Sequence, residues 1–145
     1  MTPKLPVSVL VLVHTVEREV LLLERATRAG FWQSVTGSLD RLDEPLADAA
    51  AREVMEETGI DAARGRLQRW NVVYTFEIYP HWRHRFAPGV VQNVEHVFGL
   101  QLPERRTVRM APQEHVAFAW LPWREAAARC FSWSNRDAIV MLGEE

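Results

Sequence analysis

The sequence predicts one mixed α/β domain spanning residues 1–145. Three observations lead there. Two short apolar runs rich in β-branched residues open the chain, and an alanine-rich segment bounded by Pro45 and Gly59 follows them. The pattern then returns to strands before a helical last third. A length of 145 residues is one domain's worth, and no internal repeat, low-complexity segment or Gly/Ser linker divides it.

Val7–Val13 is a near-continuous apolar run, and Val20–Leu23 follows the charged turn Glu17–Glu19, which predicts an antiparallel hairpin. Phe31–Thr36 reads as a short strand leading into Gly37, where the chain can take a special backbone conformation. Asp43-Glu44-Pro45 opens a helix with an acidic cap and a proline in the first turn, and alanines at 47, 49, 50 and 51 fill it. Gly59 should stop that helix at Thr58. Trp70–Tyr79 and Val90–Leu102 are strand-rich, separated by the polar, aromatic stretch Pro80–Gly89, and Val116–Leu121 is a further short strand. Pro122–Leu142 reads as helical, with Trp123, Ala126, Ala127 and Cys130 on one face and Ser134 or Asn135 as a cap.

Composition narrows the classes. With 48% hydrophobic and 25% charged residues the chain is ordinary globular protein. The single cysteine, Cys130, can form neither an internal bridge nor a multi-cysteine zinc site. It reads as buried and inert, which suits a cytoplasmic location. No apolar run approaches the ~20 residues of a membrane span, and Lys4 makes a poor start to a signal peptide. A net charge of −2 argues against a general nucleic-acid binder, so no nucleic-acid partner is expected.

Chemistry concentrates in the first helix. Glu53, Glu56 and Glu57 stand at i, i+3 and i+4 and share one face. A solvated acidic face is the ordinary explanation, and it fits poorly here. Glu53 and Glu57 repel each other, no Lys or Arg follows Glu56 or Glu57 by four residues, and the C-terminal end of a helix disfavours acidic groups. Arg52 compensates at Glu56 only in the weaker orientation. Such a set points to a missing cation, and hard divalent metals take oxygen ligands while leaving positions open for phosphates.

The longer pattern, Gly37, Glu44, Arg52-Glu53-Val54, Glu56-Glu57, Gly59 and Ile60, closely resembles the Nudix box. The match is complete from Glu44 to Ile60; upstream, six residues rather than five separate Gly37 from Glu44. The resemblance implies an αβα sandwich around a mixed sheet and metal-dependent hydrolysis of a pyrophosphate. It implies Glu53 and Glu57 as ligands of Mg²⁺, with Mn²⁺ as the alternative. Glu56 becomes a further ligand or a supporting carboxylate, Gly37 contributes its carbonyl, and Arg52 orients the glutamates while paired with Glu44. A glutamate from a later loop would reach back to the metal or act as base, and Glu114 matches it.

Outside the box, Phe31–Ser38, Phe76-Glu77-Ile78, His84–Gly89, Glu114-His115 and Ser132–Arg136 resemble a branch of that family acting in folate synthesis. That branch cleaves dihydroneopterin triphosphate to the monophosphate and pyrophosphate. The likeness implies Lys4, Arg25, Thr36, Phe76, Glu77 and Ser132 at the substrate. Each has a plainer explanation as well: a solvated strand end for Arg25, a terminus for Lys4, a helix cap around Ser132, core packing for Phe31 and Trp32. The stretch His81–Arg85 is expected to be a lid or substrate-side loop rather than an RNA-stacking one, and the histidines at 81, 84, 96 and 115 lack ligand spacing as a set. Nucleoside triphosphates are expected side substrates, and a monomer is expected rather than a stable oligomer. The competing readings are a house-cleaning dATP-type pyrophosphohydrolase, an RNA 5′-end pyrophosphohydrolase and a nucleotide-sensing module without catalysis.

Overall fold

The computed structural model describes residues 2–145. The hairpin forms as expected: β1 (Val7–Thr15) and β2 (Glu19–Arg25) run antiparallel, with His14 opposite Val20. β1 is buried along almost its whole length because both of its faces are covered, which is why it reads as a continuous apolar run rather than an alternating one. Val9, Val11 and Val13 point to one core, Leu10 and Leu12 to another.

The expected Phe31–Thr36 strand is instead two: β3 (Trp32–Gln33) pairs with β2, and β4 (Val35–Ser38) pairs with β1. The break falls at Ser34, whose N–H donates to Asn135 Oδ1 at 2.8 Å while Asn135 Nδ2 donates to its hydroxyl at 3.0 Å. A contact a hundred residues away therefore divides the strand. Gly37 lies inside β4 opposite Val9, in ordinary extended pairing.

α1 (Leu46–Thr58) ends where Gly59 takes the left-handed conformation, φ +72°, and returns its N–H to Met55 O. Its start departs from expectation. Pro45 occupies the cap position without a side-chain bond, and Asp43 pairs with Arg41 at 2.9 Å.

β5 (Arg66–Glu77), β6 (Gln92–Leu102) and β7 (His115–Pro122) complete a sheet in the order β3-β2-β1-β6-β5, with β4 on β1 and β7 on β2. Among the named strands β1 and β6 pair in parallel, with Ser8 beside Glu95. The intervening stretch Pro80–Arg85 is a 3₁₀ helix. The expected single C-terminal helix is two, α2 (Trp123–Arg129) and α3 (Trp133–Glu144). Cys130 turns extended between them, and the cap of α3 is Ser132, whose hydroxyl accepts from Asn135 N–H, rather than Ser134 or Asn135. Ala126, Ala127 and Cys130 are buried as the one-face pattern required, and burial pushes the Cys130 thiol up to about 12.

α1 covers the face bearing Val9, Val11 and Val13; α2 and α3 cover the face bearing Leu10 and Leu12. The sheet is thus sandwiched between helices. Among the described residues no helix is long and apolar enough to cross a membrane.

Candidate active site

Arg52 is the organising cation of α1. Its Nε donates to Glu44 Oε2 at 3.0 Å and one terminal nitrogen to Glu44 Oε1 at 3.1 Å. The other terminal nitrogen reaches Glu53 Oε1 at 2.8 Å and Glu56 at 3.4 Å. A bond to Ser38 O at 3.2 Å ties the same fork to the loop before the helix. A planar, five-donor guanidinium can satisfy this many acceptors at once; an ammonium cannot. Arg52 holds the Glu44 carboxyl below the ordinary carboxylate range, and Glu44 in turn raises the guanidinium. The extra residue between Gly37 and Glu44 is absorbed in an exposed turn, where Glu44 N–H meets Arg41 O at 3.1 Å.

Glu53 and Glu57 are buried, whereas Glu56 is exposed. Burial raises the carboxyl pKa of both, Glu57 well above the usual value, where the hydrogen bond to Glu53 and the charges of Glu53 and Glu114 add to it. The Glu57 Oε1 atom is buried with no hydrogen-bond partner. A Cβ at position 37 would overlap the Glu53 carboxyl, so glycine there lets strand backbone and carboxylate meet. A paired, buried carboxylate set with an unsatisfied oxygen suits a divalent cation, which offsets both the burial and the repulsion. Among the described residues no three His, Cys, Asp or Glu side chains converge closely enough to hold a metal ion by themselves. Glu114 borders the same cleft, exposed, in the turn before β7, close enough for its charge to act on Glu57. His115, set aside in the sequence, is buried with Nε2 3.8 Å from Glu57 Oε1, and burial lowers its pKa. Only the fold brings it there.

Facing the glutamates is a cluster of cations. Lys4 is half-buried rather than loose at a terminus, because its N–H donates to Arg85 O at 2.8 Å. Burial, then the charges of Arg85 and Arg25, lower its pKa. Arg25 is not a solvated strand end: its Nε is buried without a partner and its guanidinium lies 4.8 Å over the Trp82 ring. Three mutually repelling cations beside two carboxylates fit a polyanion held through a metal.

All of these side chains except Glu44 border one cleft of about 1120 Å³, roomier than the ~300–1,000 Å³ of most small-molecule sites. Thr36, Phe76 and Ser132 border it too. The Thr36 hydroxyl donates to Val9 O at 3.1 Å, leaving its lone pairs free. Glu77 sits exposed at the rim, 3.9 Å from Arg83. Trp82, His84 and Arg85 of the 3₁₀ helix border the cleft as well. Phe31 and Trp32 do not border the cleft; Phe31 stacks on Phe131, and it is Phe131 that faces in. Sequence reasoning also missed Asn93 and Glu95, polar residues that the cleft buries at its far end.

The NUDIX domain family profile matches residues 4–141. The dihydroneopterin triphosphate diphosphatase of Escherichia coli (strain K12) is 45% identical over 139 residues, covering 94% of this chain and 91% of its own length. The protein of the same name from Haemophilus influenzae is 34% identical over 135 residues, covering 91% of this chain and 84% of its own. The solved structure of the E. coli dihydroneopterin triphosphate pyrophosphohydrolase matches with a TM-score of 0.90 at 44% identity, covering 97% of both chains.

Proposed function

The chain belongs to the Nudix family, and from that premise we propose that it hydrolyses dihydroneopterin triphosphate to dihydroneopterin monophosphate and pyrophosphate. The observation that carries this reading is near-full-length likeness to enzymes named for that reaction, in a chain that retains the whole carboxylate set. The phosphate end of the cleft has the chemistry the reaction needs. Lys4, Arg25 and Arg85 bind the triphosphate oxygens, and Thr36 and Ser132 position the chain between them and the ring.

Nudix hydrolysis depends on a divalent metal, for which we propose Mg²⁺ with Mn²⁺ as the alternative, since an all-oxygen donor set accepts either. When bound, such a cation neutralises phosphate charge and makes a water acidic enough to attack. Glu53 and Glu57 hold it, with Gly37 giving the approach. Arg52 keeps both glutamates pointed inward and takes no direct part. Glu114, which borders the cleft from the turn before β7, would complete the oxygen set or take up the water's proton, and both roles need its charge. The broken bond joins the first and second phosphates, so pyrophosphate leaves. We also propose that residues 1–145 act as one catalytic unit, monomeric and cytoplasmic, where the lone reduced cysteine is at home.

The test is a substrate panel with Mg²⁺: dihydroneopterin triphosphate, dATP, GTP and 5′-triphosphorylated RNA, scored by pyrophosphate release. The pterin should give the highest kcat/KM, with purine nucleotides as slower substrates. A preference for dATP would replace this reading with the house-cleaning one. Turnover of none of them would favour a nucleotide-sensing module.

A further inference from the structure

The end of the cleft remote from the glutamate helix holds an arrangement that cleavage of phosphates does not require. Asn93 and Glu95 alternate along β6 onto the same face as Ser8 and Leu10, and both are only 6% exposed. Asn93 Nδ2 donates to Ser8 Oγ at 2.8 Å, which aims the amide and leaves Oδ1 without a partner. Glu95 Oε1 is likewise buried and unpartnered. Among the described residues no lysine, arginine or histidine forms an ion pair with Glu95. Burial pushes its carboxyl up to about 7, only partly offset by a hydrogen bond from Ser134. A buried acceptor left without a donor destabilises the fold. Two of them, on residues of one strand that border a ligand cleft, are poorly explained as packing.

The surroundings say what would fill the gap. Phe76 pairs directly across from Asn93 on β5, and Phe131 and Trp133 enter from the start of α3. Aromatic walls suit a flat ring, and the floor carries two acceptors without partners, Asn93 Oδ1 and Glu95 Oε1. A carboxylate binds two parallel N–H donors as a fork, the geometry it uses with a guanidinium. We infer that Glu95 is a specificity-determining residue that reads the adjacent N–H and NH₂ donors of a 2-amino-4-oxopyrimidine edge, with Asn93 Oδ1 as a second acceptor. A pterin and a guanine both present that edge. Adenine does not: it turns a ring-nitrogen lone pair toward the carboxylate and is repelled.

This inference rests on the reading of the enzyme as a triphosphate pyrophosphohydrolase, and its test keeps the two apart. Wild-type protein is first compared on GTP and ITP, which differ only in the 2-amino group. GTP should be favoured by about 10–100-fold in kcat/KM, the value of one charge-assisted hydrogen bond. Glu95→Gln is then assayed on dihydroneopterin triphosphate, GTP, ITP and ATP. It should lose about 10²-fold on the pterin and GTP and bring the GTP/ITP ratio close to one. Turnover of ATP should rise, because an amide can pair with both the lone pair and the amino group of adenine. Equal losses on all four substrates, with an unchanged GTP/ITP ratio, would show a structural role and overturn the inference. So would wild-type protein that cuts ITP as fast as GTP, a result that needs no variant to fold. Weak pterin turnover beside a strong GTP/ITP ratio would instead sink the pterin assignment and leave Glu95 standing.

Discussion

At the scale of single residues, the positioning role proposed for Arg52 and the chemical role proposed for Glu114 can be told apart by substitution. Arg52 touches Glu44, Glu53, Glu56 and the Ser38 carbonyl, all of them protein groups. Arg52→Lys keeps the charge but loses the fork, so Glu53 drifts from its strand contact. Outer supports of metal ligands are worth about 10–100-fold in activity, and the loss should fall on kcat, with KM moving much less. A change in KM alone, measured by steady-state pyrophosphate release, would mean that Arg52 binds substrate instead. Glu114 is exposed and makes its hydrogen bonds through its backbone, its carbonyl accepting from Ala26 N–H at 2.8 Å. Glu114→Gln should therefore leave the melting temperature unchanged while cutting kcat by about 10²-fold. Glu104→Gln, on an exposed turn away from the cleft, serves as the control. Equal turnover in the two variants would return the base to the glutamate helix.

At the scale of elements, α1 depends on its end. Gly59 supplies a left-handed residue whose N–H closes on Met55 O, and the turn that follows lets Thr58 O accept from Arg109 N–H at 2.8 Å. A Cβ there would also press on the Arg109 side chain. Gly59→Ala should cost about 1–2 kcal/mol in urea unfolding, with Gly59→Asn costing less because asparagine tolerates this conformation. A neutral alanine substitution would show that the helix end relaxes into another cap. α1 was the most legible element because its information is local: glutamates three and four residues apart must share a face, and glycine must follow. β1 and β2 were legible for the same reason. What escaped was set by long-range contacts. Ser34 breaks its strand only because Asn135 arrives from α3, and Ser132 caps α3 only because Cys130 leaves the helix. Along β6, Gln92-Asn93-Val94-Glu95 alternates as a half-solvated strand would. The parallel register with Ser8 and the roof of α3 turn its polar face inward, and no local pattern encodes that.

At the scale of the whole molecule, the fold assembles two carboxylates in the interior, and the metal role proposed for them would tie stability to pH and metal together. Glu53 and Glu57 have carboxyl pKa values raised by burial, so the folded protein holds protons that the unfolded chain has released. The sign follows: their contribution is complete below the ordinary carboxylate pKa and is lost as pH rises through the raised one. His14 and His96, whose pKa values burial lowers, act oppositely. Their effect cancels when the same pH is compared with and without metal. Metal must displace the carboxyl protons, so its apparent affinity climbs with pH. Stabilisation by a bound ion grows with its saturation and reaches about 2.7 kcal/mol at a hundred times Kd. The melting temperature in saturating Mg²⁺ minus that in chelator should therefore be small near pH 5 and rise toward pH 8. Glu57→Gln should flatten the difference at every pH, since an amide neither repels Glu53 nor gains from the ion. A wild-type increment equal at both pH values would mean that the carboxylates are ionised throughout, and that the ion is held by groups other than the buried pair.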